Sequence, residues 1–211
     1  QAQRGLRQGH RYLEEKKYAQ ALQEMKRAAS ADPKNSAAHM LLGVAQYWNG
    51  MVDESIASYR EALRLQSDSA QAYLLLGISY AWKGDAPASE AAFRRAIELD
   101  PARADAQMNL GSIRETRNDV SEALERYRTT LRLIIEANGL RLAQVEPLIS
   151  FEALDQATQG YQDETGQLTE VLLRLVAVQL ALASTPQELA AASQGLAIVR
   201  RIIAEHGGNI D

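Results

Sequence analysis

The chain has 211 residues, of which 46 % are hydrophobic and 24 % are charged, so it holds enough apolar material for a continuous core. Its formal net charge of −4 makes it a poor general binder of nucleic acid, because phosphate contacts need a basic face. It contains no cysteine, which excludes disulfides, a cysteine nucleophile and thiolate metal sites.

A 34-residue repeat organises the first two-thirds of the sequence. Glycine recurs at this period in one column, large side chains in a second, small side chains in a third and leucine in a fourth. The columns are Gly9, Gly43, Gly77 and Gly111; Met25, Tyr59, Phe93 and Tyr127; Ala21, Ser55, Ser89 and Ala123; and Leu42, Leu76 and Leu110. Because glycine makes up only about 7 % of average sequence, a column of this kind indicates an internal repeat.

The third repeat carries an aromatic residue, Leu-Gly, a tyrosine, a small residue, a second aromatic residue, alanine and a closing proline. These residues are Tyr73, Leu76, Gly77, Tyr80, Ser89, Phe93, Ala96 and Pro101. In this pattern the sequence resembles the tetratricopeptide-repeat family. The resemblance covers residues 2–137 and implies an all-α fold, an αα-superhelix (solenoid) of about four helical hairpins. The predicted repeats are 2–35, 36–69, 70–103 and 104–137.

The small residues of the repeat predict how its helices pack. Gly77 should let the two helices of its hairpin approach closely, and bulk at this position should not be tolerated. Tyr80 and Phe93 should fill the space between successive hairpins. Gly50 and Gly84 should end first helices, because glycine adopts the left-handed conformation without a steric penalty.

From residue 138 to 211 the period is lost, but helical patterns continue, and we expect a C-terminal helical capping region. Asn138-Gly139 should end the last helix of the repeats, and Gly160 should end a helix that follows Pro147. A strongly apolar helix is predicted from about Leu168 to Ala183.

A capping box precedes the last predicted helix. Thr185 can cap this helix, Pro186 suits its first turn, and Glu188 stands three residues after the cap. The helices before and after Thr185 should form an αα-hairpin. Three placements of this hairpin are open: it caps the array, packs across its groove, or forms a dimer.

The apolar run from Val171 to Ala183 does not predict a membrane span. It is interrupted by Arg174 and Gln179 and is shorter than the ~20 residues that a bilayer requires. We interpret it as a buried helix. The chain starts at Gln1 without a basic-then-apolar leader, which fits either a removed signal peptide or a fragment. The compartment therefore stays open between cytoplasm and periplasm.

The sequence shows no arrangement that indicates catalysis. His10, His39 and His206 lie far apart, without a histidine or carboxylate partner at metal-ligand spacing. The basic pairs Arg94-Arg95 and Arg200-Arg201 are balanced by nearby acids and are typical of solvated helix faces. We therefore predict a protein that is not an enzyme and holds neither metal nor cofactor.

The resemblance implies that the first helix of each hairpin lines an inner, concave groove. The predicted groove residues are Met40, Val44, Tyr47, Trp48, Leu74, Ile78 and Trp82. In the fourth repeat this face turns polar and should supply a charged rim near Asp105 and Glu115. An apolar patch of this size on a soluble protein is expected to be covered.

We therefore predict a protein-interaction scaffold or assembly factor that binds an apolar peptide or an amphipathic helix in the groove. The partner is a protein or peptide of unknown identity, and nucleic acid is not expected. A resemblance to bacterial repeat proteins that help to assemble envelope machines is compatible with this function. In the alternative, the chain's own C-terminal helices or a homodimer mate fill the groove, and another face serves as an adaptor or RNA-binding surface.

Overall fold

The computed structural model describes residues 2–137, 167–183 and 185–205. These residues form ten α-helices and no β-strand. The helices are α1 (Ala2–Glu14), α2 (Tyr18–Ala31), α3 (Ser36–Trp48), α4 (Val52–Leu65), α5 (Ala70–Lys83), α6 (Ala86–Leu99), α7 (Ala104–Thr116), α8 (Val120–Ala137), α9 (Gln167–Leu182) and α10 (Pro186–Glu205). The predictions made at Asn138-Gly139, Pro147, Gly160 and His206 lie outside the described residues.

The chain divides into two compact units, Gln1–Pro101 and Ala102–Asp211. The first unit holds the hairpins α1–α2, α3–α4 and α5–α6, in which α3 packs on α2 and α5 packs on α4. The second unit holds the hairpin α7–α8, with α9 packed on α8 and α10 on α9. All four hairpins follow the predicted 34-residue register. The boundary predicted after residue 137, between array and capping region, stays a prediction.

A contact between glycine and a large side chain holds the two helices of each hairpin close together. A Cβ atom built on Gly77 of α5 would lie 2.6 Å from Cε1 of Phe93 in α6, which real Cβ atoms essentially never do. Ser89 Oγ donates a 2.8 Å hydrogen bond to the Gly77 carbonyl in the same hairpin. The same contact recurs at Gly9 against Met25, at Gly43 against Tyr59 and at Gly111 against Tyr127.

The structure adds to one packing prediction and agrees with another. Phe93, which the repeat pattern places between successive hairpins, packs against Gly77 inside its own hairpin, because the bare face of this glycine leaves room for its ring. Tyr80 does meet the preceding hairpin, where it packs with Ile56 and Tyr59 of α4. The large residues of the repeat therefore make two kinds of contact, one between the helices of a single hairpin and one between neighbouring hairpins.

The turn between the two helices of each hairpin adopts the left-handed conformation at one position. The φ angles are 56° at Lys16, 76° at Gly50, 81° at Gly84 and 61° at Asn118, and these residues stand one repeat apart. The two glycines were predicted here because they lack a Cβ atom. Asparagine also visits this region, whereas a lysine in it is strained.

Local caps mark helix starts in both units. The side chains of Asn35 and Ser69 accept hydrogen bonds from Ala38 N and Ala72 N, at 3.1 and 3.2 Å. Before α10, Glu188 N donates to Thr185 Oγ1 at 3.1 Å and Thr185 N donates to Glu188 Oε2 at 3.0 Å. The predicted capping box is therefore confirmed.

The predicted apolar helix is α9, and one face of it lies in the core of the second unit. Its buried residues are Leu168, Val171, Leu172, Leu175, Val176 and Val178, which pack with Tyr127, Leu131 and Ile135 of α8. The interpretation of this run as a buried helix is confirmed for that face, whereas Leu173 and Leu182 are 38 % and 42 % exposed. Among the described helices, none is long and apolar enough to cross a membrane.

We predict that Gly77→Ala lowers the free energy of unfolding by about 1–3 kcal/mol, because the added Cβ forces the Phe93 ring and the two helices apart. Alanine in a helix interior is intrinsically favoured over glycine by up to about 1 kcal/mol. A net loss of stability would therefore come from crowding between the added Cβ atom and the Phe93 ring. Urea denaturation followed by circular dichroism measures this change.

Gly5→Ala is the matched control, because its Cβ would lie 3.3 Å from both Ala28 Cβ and the Glu24 carbonyl and should lose less stability. Adding Phe93→Leu to Gly77→Ala should restore part of the loss. Unchanged or increased stability of Gly77→Ala would show that the close contact is not made.

We also predict that Lys16→Gly raises stability by about 1 kcal/mol. A left-handed L-residue costs roughly 1–2 kcal/mol, and the larger unfolded-state entropy of glycine offsets only part of that. Thermal unfolding should show a higher melting temperature, with a smaller rise for Asn118→Gly. A melting temperature equal to or below that of the parent chain would rule out strain at residue 16.

Candidate functional site

Four aromatic side chains of the first unit form a connected surface, which we call the aromatic strip: Tyr18, Tyr47, Trp48 and Trp82. The rings of Tyr18 and Trp48 stack at 5.3 Å with an interplanar angle of 11°. Tyr47 meets Trp48 edge-on at 5.4 Å and meets Trp82 of the next first helix edge-on at 6.1 Å. Stacked and edge-on pairs at these separations are the geometries that aromatic rings prefer.

The two indoles are the exposed part of the aromatic strip. Trp48 is 55 % exposed and Trp82 is 72 % exposed, although both are large apolar side chains. Trp48 is the last residue of α3 and Trp82 the last but one of α5, one repeat apart, so the period places them on neighbouring helices. The sequence holds only two tryptophans, and both lie in this strip.

The other predicted groove residues lie deeper than the indoles. Met40 and Val44 are half-buried and pack against the core of the first unit. Ile78 is also half-buried. Leu74 is only 4 % exposed, so its side chain belongs to the core and does not offer a surface to a partner.

Sequence reasoning missed Tyr18, because it considered only first helices and Tyr18 begins α2. Asn49, at the end of α3, joins the two elements: its Nδ2 donates to the Tyr18 carbonyl at 2.9 Å and to the Ala45 carbonyl at 2.6 Å. An aromatic residue at a helix start, close to the turn of the next hairpin, is the signal that would have found it.

Burial of a tyrosine hydroxyl and an ion pair next to Trp82 determine the polarity of the aromatic strip. Burial raises the pKa of the Tyr47 hydroxyl above its ordinary value. Next to Trp82 in sequence, Lys83 Nζ lies 2.6 Å from Asp53 Oδ1. The cation is therefore neutralised by its own acid, and the strip presents mainly apolar surface.

The second unit carries a polar counterpart of this contact. Glu115 stands two repeats after Tyr47 and is therefore its equivalent in the fourth repeat. In the first unit Tyr47 contacts Trp82 of the next helical hairpin. In the second unit Arg174 of α9 makes the corresponding contact, with its Nη1 3.4 Å from Glu115 Oε2. The Arg174 guanidinium also lies 5.9 Å from the ring centroid of Tyr127, whose hydroxyl donates to Glu115 at 2.7 Å. Burial and this hydrogen bond raise the pKa of Tyr127 to about 12.

Other residues singled out by the sequence form no site in the described part of the chain. Contrary to the expectation from the sequence, His10 does have a carboxylate one helical turn away, because its Nδ1 lies 3.4 Å from Glu14 Oε1 on the surface. His39 Nε2 lies 3.0 Å from the Pro33 carbonyl. No group of metal-binding residues occurs among the described residues. The basic pair Arg94-Arg95 is matched by Glu90 and Glu98, at 2.9 and 2.7 Å.

We predict that acrylamide quenches the fluorescence of Trp82 more strongly than that of Trp48, because stacking on Tyr18 shields one face of the Trp48 indole. Trp48→Phe and Trp82→Phe each leave a single emitter, so Stern–Volmer slopes of the two variants measure this difference. In urea the two slopes should become equal. Equal slopes in the native state would contradict the stacked arrangement.

Comparison with known proteins places the fold in a family. The family model for the tetratricopeptide repeat matches residues 6–70, 49–102 and 74–137. No curated protein sequence matches the chain. The chain is similar to the crystal structure of MamA protein, with a TM-score of 0.62 and 20 % identity over 100 % of this chain and 97 % of that chain.

Two further solved structures share the fold. MamA 41-end from Desulfovibrio magneticus RS-1 gives a TM-score of 0.70 at 13 % identity, over 97 % of this chain and 96 % of that one. The first repeat domain of Spaghetti (RPAP3), bound to the HSP90 peptide SRMEEVD, gives 0.54 at 20 % identity, over 56 % and 93 %. At these identities the likeness concerns the fold alone. The family match itself spans residues 6–137; the chain therefore belongs to the tetratricopeptide-repeat family.

Proposed function

We propose that this protein is an interaction scaffold whose aromatic strip binds an amphipathic helix or an apolar peptide of a partner protein. Family and fold support a protein-interaction scaffold in general. The observation that carries the specific proposal is the exposure of Trp48 and Trp82 within one connected set of rings.

The energetics favour a covered strip. Fully burying one large apolar side chain contributes about 1.5–3 kcal/mol, and tryptophan and tyrosine are the residues most enriched among binding anchors. Both indoles are already held by Tyr47, so a partner would order few additional rotatable bonds. A preformed apolar surface of this kind lowers the ordering cost of binding a helix.

The half-buried side chains beside the rings favour an apolar ligand over an anionic one. Val44 and Ile78 lie on the same two helices as the exposed indoles. The cations next to the rings in sequence are both paired, Lys83 with Asp53 and Lys17 with Glu15. A partner would therefore place aliphatic or aromatic residues on the strip and keep its charges at the edge.

One apolar face of the chain's own α9 is occupied within the second unit. Its apolar residues Leu168, Val171 and Leu172 are at most 1 % exposed within the second unit, where they pack with residues of α8. That apolar face is already occupied. A second copy of the chain is the competing occupant of the strip, and sedimentation of the intact chain and of the double variant distinguishes the two.

We predict that a designed amphipathic helix, with leucines at three- and four-residue spacing, shifts the tryptophan emission of the intact chain to shorter wavelength. The shift follows because the indoles leave water when the helix binds. A fluorescein-labelled copy of the peptide allows the affinity to be measured by anisotropy for every variant. Trp48→Ala with Trp82→Ala should weaken binding by about a hundredfold, which corresponds to about 2.7 kcal/mol.

Leu189→Ala is the matched control, because Leu189 of α10 is an exposed large apolar side chain outside the strip and should leave binding unchanged. A peptide of the same composition with scrambled leucine spacing should bind more weakly. Equal binding by the double variant would refute the proposal. A dimer of the intact chain in sedimentation, converted to monomer by the double variant, would assign the strip to self-association.

A further inference from the structure

A second surface of the first unit differs in chemistry from the aromatic strip. An open cleft of about 910 Å³ lies between α1 and α2, at the first hairpin. Its polar and charged lining includes Arg4, Gln8, Tyr12, Glu24, Lys26 and Arg27, and we call it the basic cleft.

The repeat shows that α1 departs from its counterparts along this face. One and two repeats after Arg4 stand Ala38 and Ala72, which are at most 1 % exposed. One and two repeats after Gln8 stand leucines, and the first of these, Leu42, packs against α2 of the preceding hairpin. The face that is apolar and covered in later first helices is therefore polar and open in α1.

The charges of the basic cleft are unbalanced. Arg27 Nη1 lies 2.7 Å from Glu24 Oε1, so this pair neutralises itself. Within the described part of the chain, Arg4 and Lys26 form no ion pair. The cleft thus offers two unmatched cations, together with hydrogen-bonding groups from Gln8 and Tyr12, on a chain whose overall charge is negative.

We propose that the basic cleft binds an acidic peptide segment through carboxylate side chains held by Arg4 and Lys26. Hydrogen bonds between ionised donors and carboxylates are stronger than neutral ones, and the guanidinium of Arg4 can engage a carboxylate with two N–H groups. This site is independent of the aromatic strip, since it depends on charge and not on buried apolar area.

An acidic peptide fits the basic cleft better than nucleic acid does. Phosphate backbones need a continuous basic stripe, whereas this cleft contains Glu24 among its cations, and the whole chain carries a net charge of −4. Glu24 is already paired with Arg27, so a short segment with a few carboxylates can engage Arg4 and Lys26.

The test uses fluorescence anisotropy with the intact chain and a fluorescein-labelled hexaglutamate peptide whose termini are blocked. We expect binding at low ionic strength that weakens as salt rises, because exposed ion pairs are screened. Arg4→Glu with Lys26→Glu should weaken binding about tenfold or more, and Arg4→Gln with Lys26→Gln should give a smaller loss in the same direction.

Arg7→Glu with Lys34→Glu is the control of equal charge change, placed on exposed residues that do not line the cleft. It should retain most of the binding, and so should Trp48→Ala with Trp82→Ala, which separates this site from the aromatic strip. Circular dichroism melts confirm that each variant is folded. Absence of hexaglutamate binding, an equal loss in the control, or tighter binding of a single-stranded oligonucleotide would overturn the proposal.

Discussion

The contact between a bare glycine and a large side chain is the constraint on which this architecture depends. At Gly43, Gly77 and Gly111 the space of a missing Cβ atom is filled by an aromatic ring of the second helix, and Met25 fills it at Gly9. The contact sets how closely each pair of helices packs. It recurs at the same 34-residue spacing as the other columns of the repeat, so each hairpin presents its remaining residues at equivalent places.

That spacing brings chemically different side chains to equivalent places. In the first unit, neighbouring first helices meet through Tyr47 and Trp82, and the result is an exposed apolar surface. In the second unit the position equivalent to Tyr47 is Glu115, which forms an ion pair with Arg174 of α9. One scaffold geometry thus supports an open apolar surface in one unit and an intramolecular ion pair in the other.

The two proposed binding surfaces of the first unit rest on different physical forces, which makes them separable. Binding to the aromatic strip gains from apolar surface removed from water and should change little with salt. Binding to the basic cleft gains from charge and should weaken as ionic strength rises. A scaffold with both surfaces would take two partners of different chemistry, or one partner with an amphipathic helix and an acidic segment.

The sequence by itself determined the helical hairpins, the left-handed turns at Gly50 and Gly84 and the capping box at Thr185. These features depend on periodicity and on hydrogen bonds or backbone preferences that involve residues close together in the sequence. It also put Trp48 and Trp82 on neighbouring helices. Only the tertiary structure decided that Leu74 is buried, that Tyr18 joins the aromatic strip and that Phe93 packs inside its own hairpin. A repeat period shows which residues share a face, but the contacts each side chain makes depend on how distant helices pack against it.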